Sequence, residues 1–374
     1  MKKGSIKGEI EMKSENGLLT YLKWRGDLSV EQAPFNDVDA LALCELVYVE
    51  FDGVVPEQED EGTVTLKEAF RKYERKPHKT TVHYQEKEEL FEILAKSPRY
   101  ENMVLSNYVS KVDTIGQEQF AAIHIEVSPN LTVIAFRGTD NTIVGWKEDF
   151  NMSYMMPVPS QQSAVEYVNH TVRGFLKNYW FAGHSKGGNL ALYSGVYCNK
   201  KVQKKIARIN SFDGPGFSRK VVNEPEYMAV KDKISAYVPV ASIVGMLFEH
   251  EESYKVVDSS EPSIKQHDGL SWQVDRDRFV LKDKVDERSS NLAQVLKAWI
   301  NKMDNEEKKA FIDAFFGIFE KAGIDELEEI LNMDIRTMGS LIKDLVNLPP
   351  EIREAVTTLI KMLIEEGKNR PIRM

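Results

Sequence analysis

The spacing of apolar positions changes character twice along the chain. From residue 16 to about 95 it is helical: in "PFNDVDALALCELVYVEF" Val38, Leu41, Cys44, Leu46 and Val49 fall near helical spacing, and "TLKEAFRKYERK" and "QEKEELFEILAKS" add helices with charged outer faces. The acidic run "PEQEDEGT" reads as a loop between them. From about 100 to 290, short β-rich runs alternate with helical stretches, the βαβ texture of a largely parallel sheet. Strands are predicted at 120–127, 132–136, 180–182, 207–212, 234–239 and 254–257. The stretch "SQQSAVEYVNHTVRGFL" sets Ala164, Tyr167, Val168, Val172 and Phe175 on one face and reads as a crossover helix. From Asn291 the pattern is helical again: "NEEKKAFIDAFFGIFEKAG" stops at Gly323, and Pro349 and Pro350 set off a last helix, "EIREAVTTLIKMLIEEG".

The expected organisation is a helical part over 1–95 packed on the core, a core with α/β texture over 96–290, and a helical addition over 291–374 that serves as a cap or interaction arm. In that addition Phe311, Ile312, Phe315, Phe316 and Phe319 form an apolar stripe. Acidic residues beside the apolar ones in "DELEEILNMD" and "MLIEEG" would repel an anionic bilayer, so packing on protein is expected, with a protein partner as the further option.

Composition narrows the function classes. At 374 residues and 42% hydrophobic, the chain has material for one sizeable core with an extension, or two modest domains. A formal charge of -9 with scattered lysines and arginines argues against nucleic acid or an anionic membrane as a partner. Cys44 and Cys198 are far apart and lack CxxC spacing, which indicates neither a metal site nor a disulfide framework. The polar start "MKKGSIKGEIEMKSENG" has no apolar leader region before Leu18, and no transmembrane segment is expected, so the reading is a cytoplasmic protein.

The chemistry is concentrated in "YWFAGHSKGGNL". Gly183, Ser185 and Gly187 make G-x-S-x-G, a weak pattern alone. Here an apolar strand-like run precedes it, a helical run follows, and Gly188 adds room where strand and helix pack, which is the setting of a nucleophile elbow. The competing reading is a structural turn with an incidental serine. Acyl transfer also needs donors aimed at the developing oxyanion. One would be the backbone N–H of Lys186, directly after the nucleophile; Thr139, in the loop after the 132–136 strand, can supply the other from its N–H or its hydroxyl. Arg137 in the same loop reads as a structural ion-pair partner, with Asp149 as the expected acid.

"FRGTD" followed by Trp146 and Asp149, and then "GHSKGG", resemble the two signature stretches of the class 3 lipases. The chain as a whole is similar to a bacterial family of uncharacterised class 3 lipase-like proteins, through "YLKWRGDL", "PFNDVDALAL", "SFDGPGF" and "QHDGLSW", over residues 18 to 280 or so. The resemblance implies an α/β-hydrolase fold and a Ser-acid-His order, with Ser185 as nucleophile, Thr139 in the oxyanion hole and His267 as general base. His267 also follows from the layout. Of seven histidines only His250 and His267 lie downstream of Ser185, and His267 sits in the loop after the 254–257 strand, where the base belongs. His250 lies in an acidic segment one strand too early, and His184 is expected to pack under the turn.

The acid departs from the family pattern. The stretch matching its usual place, "ISAYVPVASIVGML", has no carboxylate, and Ser242 stands about where one would be. The preceding strand-end loop, "INSFDGPGF", offers Asp213, with Asp258 and Asp268 as weaker rivals. A turn aspartate bonded to its own backbone is the competing reading of Asp213, and a Ser-His dyad is the alternative mechanism. The sequence thus reads as a serine hydrolase of lipase or esterase type acting on a small-molecule or lipid ester, without metal or organic cofactor. The rival is a catalytically idle hydrolase fold used for protein interaction or small-molecule binding.

Overall fold

The computed structural model describes residues 16–76, 82–140, 142–174, 176–246, 248–249, 252–287 and 302–324. Their centre is a nine-stranded sheet in which the strands lie side by side in chain order. These are β1 (Val64–Thr65), β2 (Val104–Asp113), β3 (Glu118–Ser128), β4 (Leu131–Phe136), β5 (Asn178–His184), β6 (Ile206–Phe212), β7 (Ile234–Pro239), β8 (Tyr254–Val257) and β9 (Leu281–Lys282). From β4 to β8 every pairing is parallel. The pairings from β1 to β4, and of β9 with β8, are antiparallel. The sheet is therefore parallel at its centre and antiparallel at both edges. All six strands expected from the pattern are present. The 10-residue β2 was not expected, because a register shift between Ser106 and Val109 breaks its alternation and much of it is half-buried.

Alternation along the central strands feeds two apolar layers, one on each face. Ile123, Ile125, Val133, Ala135 and Ala182 face one layer. Phe120, Ala122, Ile134, Phe136 and Phe181 face the other. The first layer is closed by the N-terminal helices α1 (Leu18–Arg25), α2 (Asp37–Leu46), α3 (Leu66–Tyr73) and α4 (Val82–Lys96). The second is closed by α6 (Pro159–Thr171), the expected crossover helix, and α7 (Lys186–Tyr197), while α5 (Ile143–Asn151) follows β4. Sheet, crossovers and the turn at the end of β5 make this an α/β-hydrolase fold.

Helix α2 starts where it does because Asn36 accepts from the backbone N–H groups of Val38 and Asp39, while Asp39 accepts from Asn36 N at 3.0 Å, a reciprocal cap. Asp39 is then wholly buried, and a buried carboxylate needs partners. Arg99 Nε donates to it at 3.0 Å, Tyr100 at 2.6 Å and Tyr21 at 2.9 Å. This ties α2 to α1 and to the end of α4. Helix α8 (Asn305–Lys321) lies on α5: Phe150 meets Phe315 and Phe316, with ring centroids 6.1 and 5.4 Å apart, and the expected apolar stripe is buried. Gly323 ends it at φ +69°, as the spacing predicts. Residues 291–301 and 325–374, with the expected last helix, lie outside the described residues, as do His250 and Phe175. No helix among the described residues is long and apolar enough to cross a membrane.

Candidate active site

Strand register brings the candidate residues to one edge of the sheet. Phe136 is level with Gly183, His184 with Phe212, Phe212 with Tyr237, and Pro239 with Val257. The loops after β4, β5, β6, β7 and β8 therefore open side by side at the carboxyl ends of parallel strands, where such sheets gather reactive groups. The ladder extends one step into the loops: Ser185 N donates to Phe212 O at 2.9 Å, and Asp213 N to Tyr237 O at 2.7 Å.

Ser185 stands between β5 and α7 at φ 57° and ψ -132°, a strained backbone for a residue with a side chain. Only a crowded turn without neighbouring Cβ atoms holds it there. A Cβ on Gly183 would run into the Gly187 carbonyl, and one on Gly187 into the carbonyl of Phe136. The turn is fastened from below by the side chain of Lys186, which is 1% exposed. It donates to Glu148 Oε2 at 3.0 Å and to Gln119 O and Oε1 at 3.0 and 3.1 Å. That leaves the Lys186 side chain structural. Its backbone N–H lies in the first turn of α7, where helix donors lack intrahelical acceptors.

His267 ends a short 3-10 turn, Ser263–His267, after β8. Its Nδ1 lies 2.6 Å from Asp213 Oδ2. A carboxylate can only accept, so the Nδ1 proton is on the histidine and Nε2 is left with its lone pair. Burial alone would lower the pKa of His267, but the hydrogen bond and charge of Asp213, with Glu45 and Asp268 behind, raise it above the ordinary value. Asp213 is itself held: Ser242 Oγ donates to its Oδ1 at 2.5 Å and Gly245 N at 3.1 Å, while its backbone takes φ 50°. The vacant acid position after β7 thus carries a hydroxyl that serves the carboxylate after β6. The two rival acids are engaged elsewhere, Asp258 with Lys282 at 3.0 Å and Asp268 with Lys87 at 3.3 Å. The rest of "QHDGLSW" fixes the loop: Gln266 Oε1 accepts from Ala241 N at 2.8 Å, and buried Trp272 donates to Gln266 O at 2.8 Å.

Two expectations about "FRGTD" need correction. Thr139 gives its hydroxyl proton to Asp149, so only its N–H remains as the oxyanion donor it was expected to supply. Asp149 is also not the partner of Arg137, whose guanidinium lies 4.0 Å from Asp140 and 3.5 Å from Ser110 Oγ. Burial pushes the Asp149 carboxyl up to about 6, against the pull of Lys186 and the Thr139 hydroxyl. His184 is buried in the elbow as expected. It also reaches the base loop: its Nε2 donates to the His267 carbonyl at 2.6 Å, and the two rings are 4.7 Å apart. Glu45 of α2, Tyr48 just past it and Lys87 of α4 stand behind it. Nothing in the sequence places these three, because their approach is wholly tertiary.

A family model described as Mbeg1-like matches residues 94–317, more than half of the chain. The chain belongs to the Mbeg1-like family. The match covers every residue of the site except those from the N-terminal helices. A solved structure titled "Crystal structure of M37 lipase" is similar at 15% identity and a TM-score of 0.36, over 57% of this chain and 70% of that one. So distant a likeness adds nothing to the topology given above. No curated protein matches the chain. The chain is thus a member of the Mbeg1-like family with an α/β-hydrolase fold.

Proposed function

We propose that the protein is a serine hydrolase of lipase or esterase type, cleaving carboxylic esters through an acyl-enzyme. The observation that carries this is the pair His267 Nδ1 and Asp213 Oδ2, 2.6 Å apart, in the loops beside a serine on a strained strand-to-helix turn. In this mechanism Ser185 attacks the ester carbonyl while His267 Nε2 takes its proton and Asp213 supports the imidazolium. The oxyanion that forms takes the N–H groups of Lys186 and Thr139. His267 then protonates the leaving alcohol, and water, deprotonated by the same ring, releases the acid and restores Ser185.

The second reading is an idle hydrolase fold used for binding, and the low exposure of Ser185, 9%, favours it. A fluorophosphonate probe separates the two, because it reacts only with an activated serine. Labelling of the parent at Ser185, abolished in Ser185→Ala and His267→Gln, together with p-nitrophenyl ester turnover, is the expected result. An unlabelled, folded parent without turnover would establish the idle reading.

A further inference from the structure

A second group of ionisable residues lies directly behind the site, contributed by the helices that close the other face of the sheet. Glu45, near the end of α2, is 1% exposed and is ion-paired with Lys87 of α4. Lys87 also reaches Asp268, the residue after the base, at 3.3 Å. Burial works against the Lys87 charge, but Asp268 and Glu45 outweigh it and the ammonium stays protonated. Tyr48, two residues past α2, has its ring 5.6 Å beneath Lys87 Nζ. Its hydroxyl is 3.3 Å from His184 Nδ1.

The protons on this chain of contacts can be assigned. The His267 carbonyl only accepts, so His184 Nε2 carries a proton. Burial lowers the His184 pKa, so the ring is neutral and Nδ1 accepts from the Tyr48 hydroxyl. That hydroxyl also touches the oxyanion loop. A Cβ placed on Gly138 would overlap it and would lie 3.1 Å from Ser185 Cβ, so Gly138 is packed between the phenol and the serine turn with no room for a side chain. Gly269, after Asp268, packs just as tightly against Glu45 Oε1, a buried oxygen with no hydrogen-bond partner among the described residues.

We propose that Glu45, Tyr48 and Lys87 are positioning residues of the hydrolytic site, holding His184 and the His267–Asp268 segment so that the base meets Ser185. This rests on the serine hydrolase reading above. It makes the N-terminal helices part of the catalytic apparatus. The charged and titratable groups around the His267 ring are Asp213 from the β6 loop, Asp268 on its own turn, His184 and Asp149 near the elbow, and Glu45 with Lys87 from α2 and α4. Glu45 itself holds the His267 pKa up, so removing its charge disfavours the imidazolium.

The test uses the full chain with 13C-labelled histidine, following the His267 resonance against pH, alongside p-nitrophenyl acetate kinetics. In Glu45→Gln the His267 midpoint should move to lower pH. Its kcat should fall roughly 10- to 100-fold with KM within about twofold, since small displacements of a catalytic group have effects of that size. Tyr48→Phe, which deletes only one hydroxyl, should lose about tenfold in kcat with KM and melting temperature retained. An unmoved midpoint and unchanged kcat in Glu45→Gln would overturn the proposal. If Glu45→Gln does not fold, Tyr48→Phe decides alone, and parental kcat in that variant overturns it. If the parent shows neither turnover nor fluorophosphonate labelling, the hydrolase reading fails. The His267 midpoint then still decides whether the helices are coupled to this loop, a downward shift supporting the coupling and an unmoved midpoint overturning it.

Discussion

Replacing Asp213 by asparagine separates the catalytic reading of this residue from the turn reading. The position sits at φ 50°, a region asparagine also tolerates, so the backbone is not strained by the exchange. Orientation of the new amide is fixed by the protein. Gly245 N–H and the Ser242 hydroxyl both point at the Oδ1 position, from 3.1 and 2.5 Å, and the backbone N–H can only donate. The amide oxygen therefore turns toward these donors, and its NH2 group faces His267 Nδ1. A donor there selects the imidazole with Nδ1 unprotonated and the proton on Nε2, the tautomer that cannot accept a proton from serine. A wrong tautomer with intact geometry costs about 10^4-fold in kcat in the best-studied triad, or ~5.4 kcal/mol of barrier, and roughly 10^3- to 10^4-fold is expected here. The pH profile should move as well. kcat/KM rises as His267 loses its proton, and Asp213 holds that proton on, so residual activity in Asp213→Asn should begin to rise at lower pH than in the parent. Steady-state kinetics on p-nitrophenyl esters with a melting curve is the assay. Turnover within tenfold of the parent in the folded variant would refute the reasoning and leave Asp213 as a turn residue.

Ser242→Ala removes one of two donors to the far oxygen of Asp213 and leaves Gly245 N–H, so a loss of about tenfold in kcat is expected, well short of the Asp213→Asn loss. Lys186→Met strips Glu148 of its buried cation and should lower stability by about 3–5 kcal/mol, read by urea unfolding. The pair of His267 with Asp213 stabilises the fold fully below the unfolded histidine pKa of about 6.5 and loses that contribution as pH rises through the raised folded value. The stability gap between parent and His267→Gln should therefore shrink as pH rises from about 6.5 through that raised value. A chain ending at Ser290 should melt well below the parent, because it uncovers Phe150; an unchanged melting temperature would show that α8 is dispensable.

The parts of this molecule legible in its sequence are those set by local chemistry. Strands β4, β6 and β7 show as apolar runs because most of their positions are buried on both faces, β8 shows through its buried Val256 and Val257, and the elbow shows as glycines because close backbone approach permits nothing larger. Strand β2 was hidden because a polar, half-exposed strand with a register break lacks both patterns. In the site, the meeting of Asp213 and His267 could be anticipated from strand order, since the end of each parallel strand lies beside the next. The hydroxyl of Thr139 could not, because Asp149 that takes its proton lies on a helix whose packing angle no local pattern fixes. Glu45, Tyr48 and Lys87 were invisible for the same reason: in sequence they are an acid near the end of one helix, an aromatic just past it and a lysine on another helix.

Helix α5 shows how the C-terminal addition is joined to the chemistry. Two consecutive residues face opposite partners. Lys147 pairs outward with Glu320 at 3.1 Å and Asp313 at 3.6 Å on α8, and Glu148 pairs inward with Lys186 in the elbow at 3.0 Å. Glu148 also accepts from the backbone N–H groups of Gln119 at 3.0 Å and Ser160 at 2.8 Å, so one carboxylate ties β3, the start of α6 and the elbow to α5. The next residue, Asp149, holds Thr139. Any shift of α5 would therefore move the loop after β4 and the Ser185 turn together. The aromatic face of α8 seats on Phe150, one residue further, which places the helix as a brace on the segment that carries both. The stripe of Phe311, Ile312, Phe315, Phe316 and Phe319 is already buried and so is not free to enter a bilayer, while Asp313 and Glu320 beside it are held by Lys147 of α5.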